Sequence, residues 1–279
     1  MDTQLQCELA QRFKALHQGP DILVVGSAWD AGSAVVFERE GLPAIATSSA
    51  GVAFSLGYAD GEILPLDEHL TVLAAVARAT RIPVSADIET GYGRTPAEVS
   101  ANCRRVLETG VIGINIEDTS GDVHDPLLKP ELQAEKIRAI RAMADDAGVP
   151  LFINARTDNY WLKLGDEETR FQDTVARLNL YRAAGADGLF VPGVVDGATI
   201  RRLVQAVNGP LNILASTGAP SVSELAALGV RRVSQGSGPA RAALSAVQRI
   251  ARGLQEQGTY TGYTENTISY AEANRLFEA

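Results

Sequence analysis

The chain has 279 residues, 46% of them hydrophobic, which is enough to bury a sizeable core, and its formal net charge is −9. This acidic balance, with no basic stripe, argues against nucleic-acid binding, and no apolar run approaches the roughly 20 residues that a membrane-spanning helix needs. The first 19 residues predict a polar amphipathic helix without the apolar core of a signal peptide. Two cysteines are too few for a disulfide framework, so we expect a cytoplasmic protein.

After this first helix, short apolar strands rich in Val and Ile alternate with helices along the whole chain. The strands are predicted at residues 22–25, 44–48, 82–87, 111–116, 150–155, 187–191, 210–214 and 231–234. The helices that follow them are predicted at 31–40, 67–80, 96–109, 131–147, 167–184, 197–207, 221–228 and 239–254, and one more at 268–278. A long loop is predicted after the second strand, with Asp67 as the N-cap of the helix that follows and Thr95 as the N-cap of the next one.

This alternation of strand and helix indicates a parallel sheet, and eight such units in about 250 residues indicate a closed (β/α)8 TIM barrel. We expect a single barrel domain over residues 1–279, with 255–279 as a C-terminal extension. A doubly wound open sheet is the alternative. It more often carries a glycine fingerprint after its first strand, and the segment VGSAW at 25–29 is not such a fingerprint.

Two carboxylates stand one residue apart at the end of the third predicted strand, in the segment PVSADIETGYG at 83–93. Side chains two apart on a strand point the same way, so Asp87 and Glu89 can face one site. Like charges this close repel each other unless a cation lies between them, and a hard divalent metal with oxygen ligands meets that need. The alternative interpretation is a solvated strand end with acidic residues.

Polar residues follow the other predicted strands as well, and in a barrel these strand ends share one rim. They are Trp29, Asp30, Ser48, Ser49, Glu117, Asp118, Arg156, Asp158, Pro192, Asn212, Ser234 and Gln235. An arginine emerging from the apolar run LFINARTD suits bidentate recognition of a carboxylate or phosphonate. For Asn212, an orientation towards the rim and an orientation into the packed interior are equally supported. His124 lies in the loop after the fourth strand, where it could enter a site on loop closure, whereas His17 and His69 are expected on the surface.

Five segments in order resemble the isocitrate lyase / phosphoenolpyruvate mutase superfamily. They are SAWDAGSA (27–34), TSSAGVAFSLGYADGE (47–62), PVSADIETGYG (83–93), GINIED (113–118) and NARTD (154–158). The resemblance covers about residues 20–250 and implies a (β/α)8 barrel. It also implies a homotetramer built as a dimer of dimers, in which a C-terminal helix is exchanged between partners.

The resemblance also implies a metal site and a substrate site. Asp87 would be the main Mg²⁺ ligand, directly or through water, with Mn²⁺ as an alternative ion, and Asp60, Glu89 and Glu117 would complete the water-mediated shell. Metal ligands are thus expected at Asp87, Glu89 and Glu117, and catalytic roles at Asp60, Glu117 and Arg156. The loop residue His124 is a further expected catalytic residue, from its position after the fourth strand. Substrate contacts are expected from Trp29, Ser48, Ser49, Ala50, Asp87, Arg156 and Asn212.

The loop EDTSGDVHDPLLKP after the fourth strand departs from the better-known members of the superfamily. It lacks the catalytic cysteine motif of the isocitrate and methylisocitrate lyases and the gating motif of the phosphonopyruvate enzymes. The leading hypothesis is therefore an Mg²⁺-dependent lyase or decarboxylase. It would cleave a C–C bond in a short 2-oxo or 2-hydroxy (di)carboxylic acid through a metal-stabilised enolate. Arg156 would hold a distal carboxylate, and a proton would come from a metal-bound water, Tyr58 or His124. The alternatives are a 2-oxo acid binding protein with little catalysis and a phosphonopyruvate hydrolase or mutase.

Overall fold

The computed structural model of the chain describes residues 2–265 and 267–278 and shows a nine-stranded parallel sheet that curls into a (β/α)8 barrel. The strands are β1 (Leu23–Val24), β2 (Gly26–Ala28), β3 (Ile45–Thr47), β4 (Val84–Asp87), β5 (Gly113–Glu117), β6 (Phe152–Arg156), β7 (Gly188–Val191), β8 (Leu211–Leu214) and β9 (Arg232–Ser234). β1 pairs with β9, and β2 pairs with β3. Only Val25 separates β1 from β2, so the two segments together act as the first barrel strand and join the ends of the sheet.

Helices surround the barrel in the described part of the chain. They are α1 (Thr3–Gln18), α2 (Ala31–Arg39), α3 (Ser49–Ser55), α4 (Leu66–Ala79), α5 (Pro96–Glu108), α6 (Pro130–Asp146), α7 (Glu167–Ala183), α8 (Gly197–Ala206), α9 (Val222–Ala227), α10 (Gly238–Arg252), a π-helical turn (Gly253–Gln257), α11 (Thr261–Thr264) and α12 (Tyr270–Leu276). No helix among residues 2–265 and 267–278 combines the length and the apolar character needed to cross a bilayer.

The predicted barrel and its strand–helix order are confirmed, but two predictions around α3 and α4 are wrong. The long loop predicted after the second strand contains α3, which begins directly after β3 because the side chain of Ser48 accepts the Gly51 N–H as an N-cap. The N-cap of α4 is Pro65, without a side-chain hydrogen bond, whereas Asp67 lies inside the helix and forms an ion pair with Arg105. Thr95 does cap α5, in a capping box with Glu98.

The N-terminal helix closes the end of the barrel opposite the carboxyl ends of the strands. Phe13 of α1 is fully buried against a cluster that includes Leu23, Ile112 and Phe152. The His17 ring stacks on Phe152 with 4.1 Å between ring centroids. His17 and His69 are both buried, so their prediction as surface residues was wrong. Each lies on the apolar face of its helix. The polar residue type suggested an exposed position, although the helical spacing places the side chain on the buried face.

We expect acid to destabilise the fold through His17. Burial lowers the pKa of His17 from 6.5 to about 3, so below pH 6.5 the unfolded chain binds a proton that the folded chain excludes. Stability is therefore complete above about pH 6.5 and falls as the pH drops towards 3. Between pH 7 and 5 the wild type should lose about 2 kcal/mol more unfolding free energy than a His17→Phe variant. Urea unfolding at the two pH values measures this difference, with His124→Gln at an exposed position as the control; equal losses would contradict it.

The C-terminal segment lies along the outside of the barrel. The Arg39 guanidinium donates to the main-chain carbonyl of Glu278 at 2.7 Å, and α12 packs near α2 of the same chain. Most apolar side chains of this segment remain exposed, among them Tyr260, Tyr263, Ile268 and Tyr270. The exchange of this segment between subunits and the domain limits 1–279 and 255–279 stay predictions.

Candidate active site

Two adjoining cavities open at the carboxyl ends of the strands. Their volumes are about 330 and 340 Å³, and both are lined by Ser49, Asp60, Arg156 and Trp161. The larger share of carboxylates lines one of them, here called the acidic cavity, where Glu62, Glu89, Glu117 and Asp158 join Asp60. Asp87 lines the other, here called the central cavity, which also contains an apolar wall. Residues from most of the predicted strand ends therefore meet at this rim.

Asp87 stands at the end of β4, where a hydroxyl group holds its carboxylate. The Ser49 hydroxyl donates to Asp87 Oδ2 at 3.0 Å, and the Asp87 N–H donates to Thr47 Oγ1 at 3.1 Å. The surrounding protein raises the pKa of Asp87 by desolvation, while the nearby Arg156 and Ser49 lower it. Asp87 is partly exposed, and the cavity is where that exposed part lies.

Arg156 is engaged by two carboxylates. Its Nε and Nη2 donate to the two oxygens of Asp158 at 2.6 and 2.8 Å, and Nη1 lies 2.7 Å from Glu117 Oε2. Thr119 donates to the other oxygen of Glu117 at 2.7 Å. These carboxylates raise the pKa of Arg156 further and keep it charged, although burial opposes them. A substrate anion that binds Arg156 must therefore compete with Glu117 or share the guanidinium with it.

Two glutamates connect the loop after α3 to the turn after β4. The Glu62 N–H donates to Glu89 Oε2 at 2.5 Å, while Glu62 Oε1 accepts from the N–H groups of Thr90 and Tyr92 at 2.8 and 3.0 Å. Both glutamates adopt positive φ angles, 56° for Glu62 and 52° for Glu89. Such a conformation costs free energy in a residue other than glycine, and it persists because these hydrogen bonds hold both glutamates in place.

The carboxylates around the acidic cavity repel one another. Burial, with added repulsion from Asp87, Glu117 and Asp60, raises the pKa of Glu89 to about 8. Burial raises the pKa of Glu117 to about 8 as well, against the opposing charge of Arg156. Such a set of oxygen donors is stabilised by a cation placed among them.

The donor set fits a hydrated Mg²⁺ ion better than a cage of direct ligands. Among residues 2–265 and 267–278, no three His, Cys, Asp or Glu side chains converge closely enough to chelate one ion directly. Mg²⁺ commonly keeps several of its waters and binds through one or two carboxylates, with other acidic groups accepting hydrogen bonds from those waters. The oxygen-only chemistry of Asp60, Asp87, Glu89 and Glu117 suits that arrangement. The metal assignment of Asp87, Glu89 and Glu117 stays a prediction.

Several expected site residues line the cavities, and others do not. Ser48, Ser49, Ala50, Asp60, Asp87, Glu89, Glu117 and Arg156 all do. Trp29 packs instead near Gly51 beside the small cluster of Val52, Ala53 and Leu64. Asn212 is buried beneath the central cavity, where its amide donates to Ser234 Oγ at 3.3 Å. His124 is exposed on its loop, outside the cavity lining.

Four features of the site escaped the predicted set of site residues. Glu62 lay in a stretch interpreted as a loop, and Trp161 lies three residues beyond the last quoted motif. Asn115 lines the central cavity. Its side-chain oxygen Oδ1 accepts from the side-chain amide of Asn154 at 2.8 Å, so the side-chain N–H groups of Asn115 remain for the cavity. The Ser27 N–H donates to Gln235 Oε1 at 3.1 Å, and the Gln235 N–H donates to Ser27 Oγ at 2.9 Å. The strand-end position of Gln235 was the one available signal for this pair.

Comparison with known proteins identifies similar sequences and folds. The profile of the phosphoenolpyruvate phosphomutase family matches residues 13–255. A crystal structure of a candidate lyase/mutase from Burkholderia cenocepacia J2315 is 38% identical, with a TM-score of 0.92 over 99% of this chain and 98% of that one. Oxaloacetate decarboxylase 2 of Pseudomonas fluorescens is 32% identical, covering 74% of this chain and 69% of its own. A phosphonopyruvate hydrolase solved with oxalate and Mg²⁺ is 25% identical, with a TM-score of 0.84 over 96% and 94% of the two chains.

Proposed function

The chain belongs to the phosphoenolpyruvate phosphomutase family, in the isocitrate lyase / phosphoenolpyruvate mutase superfamily of lyases and mutases. From this membership we propose that it is an Mg²⁺-dependent lyase or decarboxylase. It cleaves a C–C bond in a short 2-oxo or 2-hydroxy carboxylic acid. The observation that carries the proposal is the group of carboxylates around Asp87 and Arg156, at the place where the two adjoining cavities share part of their lining. The decarboxylation of oxaloacetate by one relative, and the oxalate and Mg²⁺ bound by another, support the substrate class and the metal.

The chain's own carboxylates would hold the metal. Asp87 would provide the nearest ligand, and Asp60, Glu89 and Glu117 would accept hydrogen bonds from its waters. When bound, Mg²⁺ acts as a Lewis acid that polarises the 2-oxo group and neutralises charge that develops on its oxygen. The Ser49 hydroxyl donates to the Asp87 carboxylate and so orients it towards the cavity.

The substrate carboxylate would bind at the beginning of α3. The first N–H groups of a helix have no acceptor within the helix, and their positive end favours an anion. In α3 the Gly51 N–H already donates to Ser48 Oγ and the Ser49 N–H to Asp87 Oδ2, so the Ala50 N–H is the main-chain donor for the acid. Ser48, Ser49 and Ala50 line the central cavity at this point. Asn115 adds an amide donor from β5. Together these groups orient the acid so that its 2-oxo oxygen lies beside Asp87.

Glu117 is the carboxylate best placed to move or hold a proton at the reacting carbon. It lies between Arg156 and Thr119 at the boundary of the acidic cavity. The other expected donors are farther from the chemistry. The Tyr58 hydroxyl donates to Glu68 at 2.9 Å, and neither Tyr58 nor His124 lines a cavity. The loop at 119–128 reaches the site through Thr119, Ser120 and Gly121.

A metal-supplemented substrate panel tests the proposal. The purified protein is incubated with oxaloacetate, malate and alkyl-substituted malates in Mg²⁺ or in EDTA, and products are identified by mass spectrometry. We expect C–C cleavage of at least one acid that requires the metal. Phosphonopyruvate is included with a phosphate-release readout, because one similar structure is a phosphonopyruvate hydrolase. Absence of turnover across the panel, in the presence of Mg²⁺-dependent binding, would favour the second candidate described next.

A 2-oxo acid binding protein with little catalysis is the second candidate function. The observation that favours it is the loop after β5, which contains no cysteine between Thr119 and Leu128. Calorimetry with 2-oxoglutarate, oxaloacetate and pyruvate, run beside the turnover assays, separates the two functions. Metal-dependent binding without product supports the binding protein, whereas product formation that Asp87→Ala abolishes supports the enzyme.

We also propose that the protein is a homo-oligomer, with a dimer of dimers as the expected form. Leu244 and Val247 of α10 are 50% and 61% exposed, and they continue into the exposed apolar residues of the C-terminal segment. A single chain gains nothing from exposing this face, whereas a second copy can cover it. Light scattering on a sizing column should give about four times the mass of 29.6 kDa. If the wild type elutes as a monomer, and Leu244→Glu elutes at the same volume, the proposed oligomer is contradicted.

A further inference from the structure

One side of the central cavity is apolar, and nothing in the proposed metal and carboxylate chemistry uses it. The wall consists of Trp161, Phe190, Pro192, Leu214 and Ala215. Trp161 lines both cavities, so its ring stands beside the place proposed for the reacting carbon. It is 53% exposed. An exposed aromatic ring at the mouth of a polar site is a surface on which a ligand can bury apolar area.

The loop that carries Trp161 is held rigidly by buried polar contacts. The Asp158 N–H donates to Asp118 Oδ1 at 3.1 Å, and Tyr181 donates to the other oxygen of Asp118 at 2.7 Å. Within the loop, the Leu162 N–H donates to the Asp158 carbonyl at 2.9 Å. Asp118 is fully buried, so this anchor is protected from water. The backbone of Trp161 is thus fixed relative to β5 and β6.

Gly193 fixes the same loop from the side of β7. Its φ is +85°, and a Cβ added there would lie 2.9 Å from both the N and the Cα of Trp161. Only glycine permits this approach, so the Trp161 backbone lies directly on the turn after β7. Phe190, at the end of the same strand, is almost fully buried, and the Arg156 guanidinium lies 5.7 Å from its ring centroid. The backbone of Trp161 and the ring of Phe190 are therefore held in one wall.

The charges around the wall disfavour a second carboxylate on the substrate. Among the described residues that line the central cavity, the cations are Arg156 and the exposed Arg241. Arg156 is already paired with Glu117 and Asp158. A distal carboxylate would also meet Asp60, which lines both cavities. An alkyl or aryl group meets no such repulsion and can bury area against Trp161.

We propose that Trp161 is a specificity-determining residue that selects 2-oxo or 2-hydroxy acids with an apolar substituent over acids with a second carboxylate at that position. This inference rests on the proposed function, because it takes the 2-oxo acid end to lie at Asp87 and α3. It names the substrate class of that site. The substituent lies against Trp161 and Phe190, and Arg241 stays in solvent at the mouth.

Calorimetry with a series of stable acids tests the inference. In Mg²⁺, affinity should rise about fourfold for each methylene from pyruvate to 2-oxobutanoate and 2-oxopentanoate. 2-Oxopentanoate should bind more tightly than 2-oxoglutarate, which has the same number of carbon atoms but a second carboxylate. Trp161→Ala should flatten the rise with chain length, whereas Val195→Ala, at an exposed apolar residue of the next loop, should keep it.

Fluorescence supplies a second readout that does not depend on catalysis. The chain has two tryptophans, so Trp29→Phe leaves Trp161 as the one emitter. Saturating 2-oxopentanoate should shift its emission to shorter wavelength as the ring loses water, and pyruvate should shift it less. Tighter binding of 2-oxoglutarate than of 2-oxopentanoate would overturn the inference. Unchanged Trp161 emission, or a rise in affinity with chain length that persists in Trp161→Ala, would also overturn it. Failure of every acid to bind would instead reject the proposed function itself.

Discussion

Asp87→Asn should reduce turnover by about 10³-fold while leaving the fold intact. The amide is nearly isosteric with the carboxylate but lacks the negative charge that the metal site needs, and losses of 10²–10³ are typical when one group that stabilises developing charge is removed. Because the carboxylate has a raised pKa in its desolvated position, removing its charge should not lower stability. Steady-state kinetics and thermal unfolding measure both effects.

Asp146→Asn is the matched control for Asp87→Asn. Asp146 is an exposed carboxylate at the end of α6, paired with Arg104 at 2.7 Å, and it is far from the cavities in the fold. Its loss should change neither turnover nor metal dependence. If Asp87→Asn retained more than about a tenth of the wild-type activity, a role as principal metal ligand would be untenable.

Arg156→Met should cost about 3 kcal/mol of unfolding free energy as well as turnover. The change leaves Glu117 and Asp158 buried without their shared cation, and breaking a buried pair from one side commonly costs 3–5 kcal/mol. Adding Glu117→Gln removes one of the unpaired charges, so the double variant should recover part of the stability. It should not recover activity, since both groups face the acidic cavity.

Urea unfolding and kinetics on the single and double variants measure this coupling. Arg104→Met, which breaks the exposed pair with Asp146, should cost less than about 1 kcal/mol and serves as the control. Equal stability losses for Arg156→Met and Arg104→Met would show that the Arg156 cluster does not hold the strand ends together. The balance of charges proposed for the site would then need a different cation.

The barrel could be predicted from the sequence because local signals and the global fold agree. Each short apolar strand is followed by a helix with its own start and stop, such as Thr95 with Pro96 at the beginning of α5. The split of the first strand could not be predicted. It arises because Leu23 pairs with β9, the last strand of the chain, whereas Gly26 pairs with β3, the next strand along the chain.

Among the residues that line the cavities, those at strand ends were predictable from the strand pattern, whereas the loop residue Asp60 was predicted through the family resemblance. Asp87, Glu117 and Arg156 are placed by the pleat and register of the barrel, which the strand pattern already implies. Glu62 and Trp161 are placed by loops, whose path depends on contacts such as the Glu62–Glu89 hydrogen bond and the close approach of Gly193. The sequence also could not show that Arg156 would be paired with both Glu117 and Asp158, because the two side chains reach it from different directions.

The central claim is that Asp87 organises a metal-dependent site for a 2-oxo acid, and calorimetric titration with oxalate tests it most directly. Oxalate presents the carboxylate and the neighbouring oxygen of such an acid but has no bond that the enzyme would cleave. We expect it to bind in the presence of Mg²⁺, to lose binding in EDTA, and to lose it again in Asp87→Asn with Mg²⁺ present. Equal binding in EDTA, or undiminished binding by Asp87→Asn, would contradict the claim.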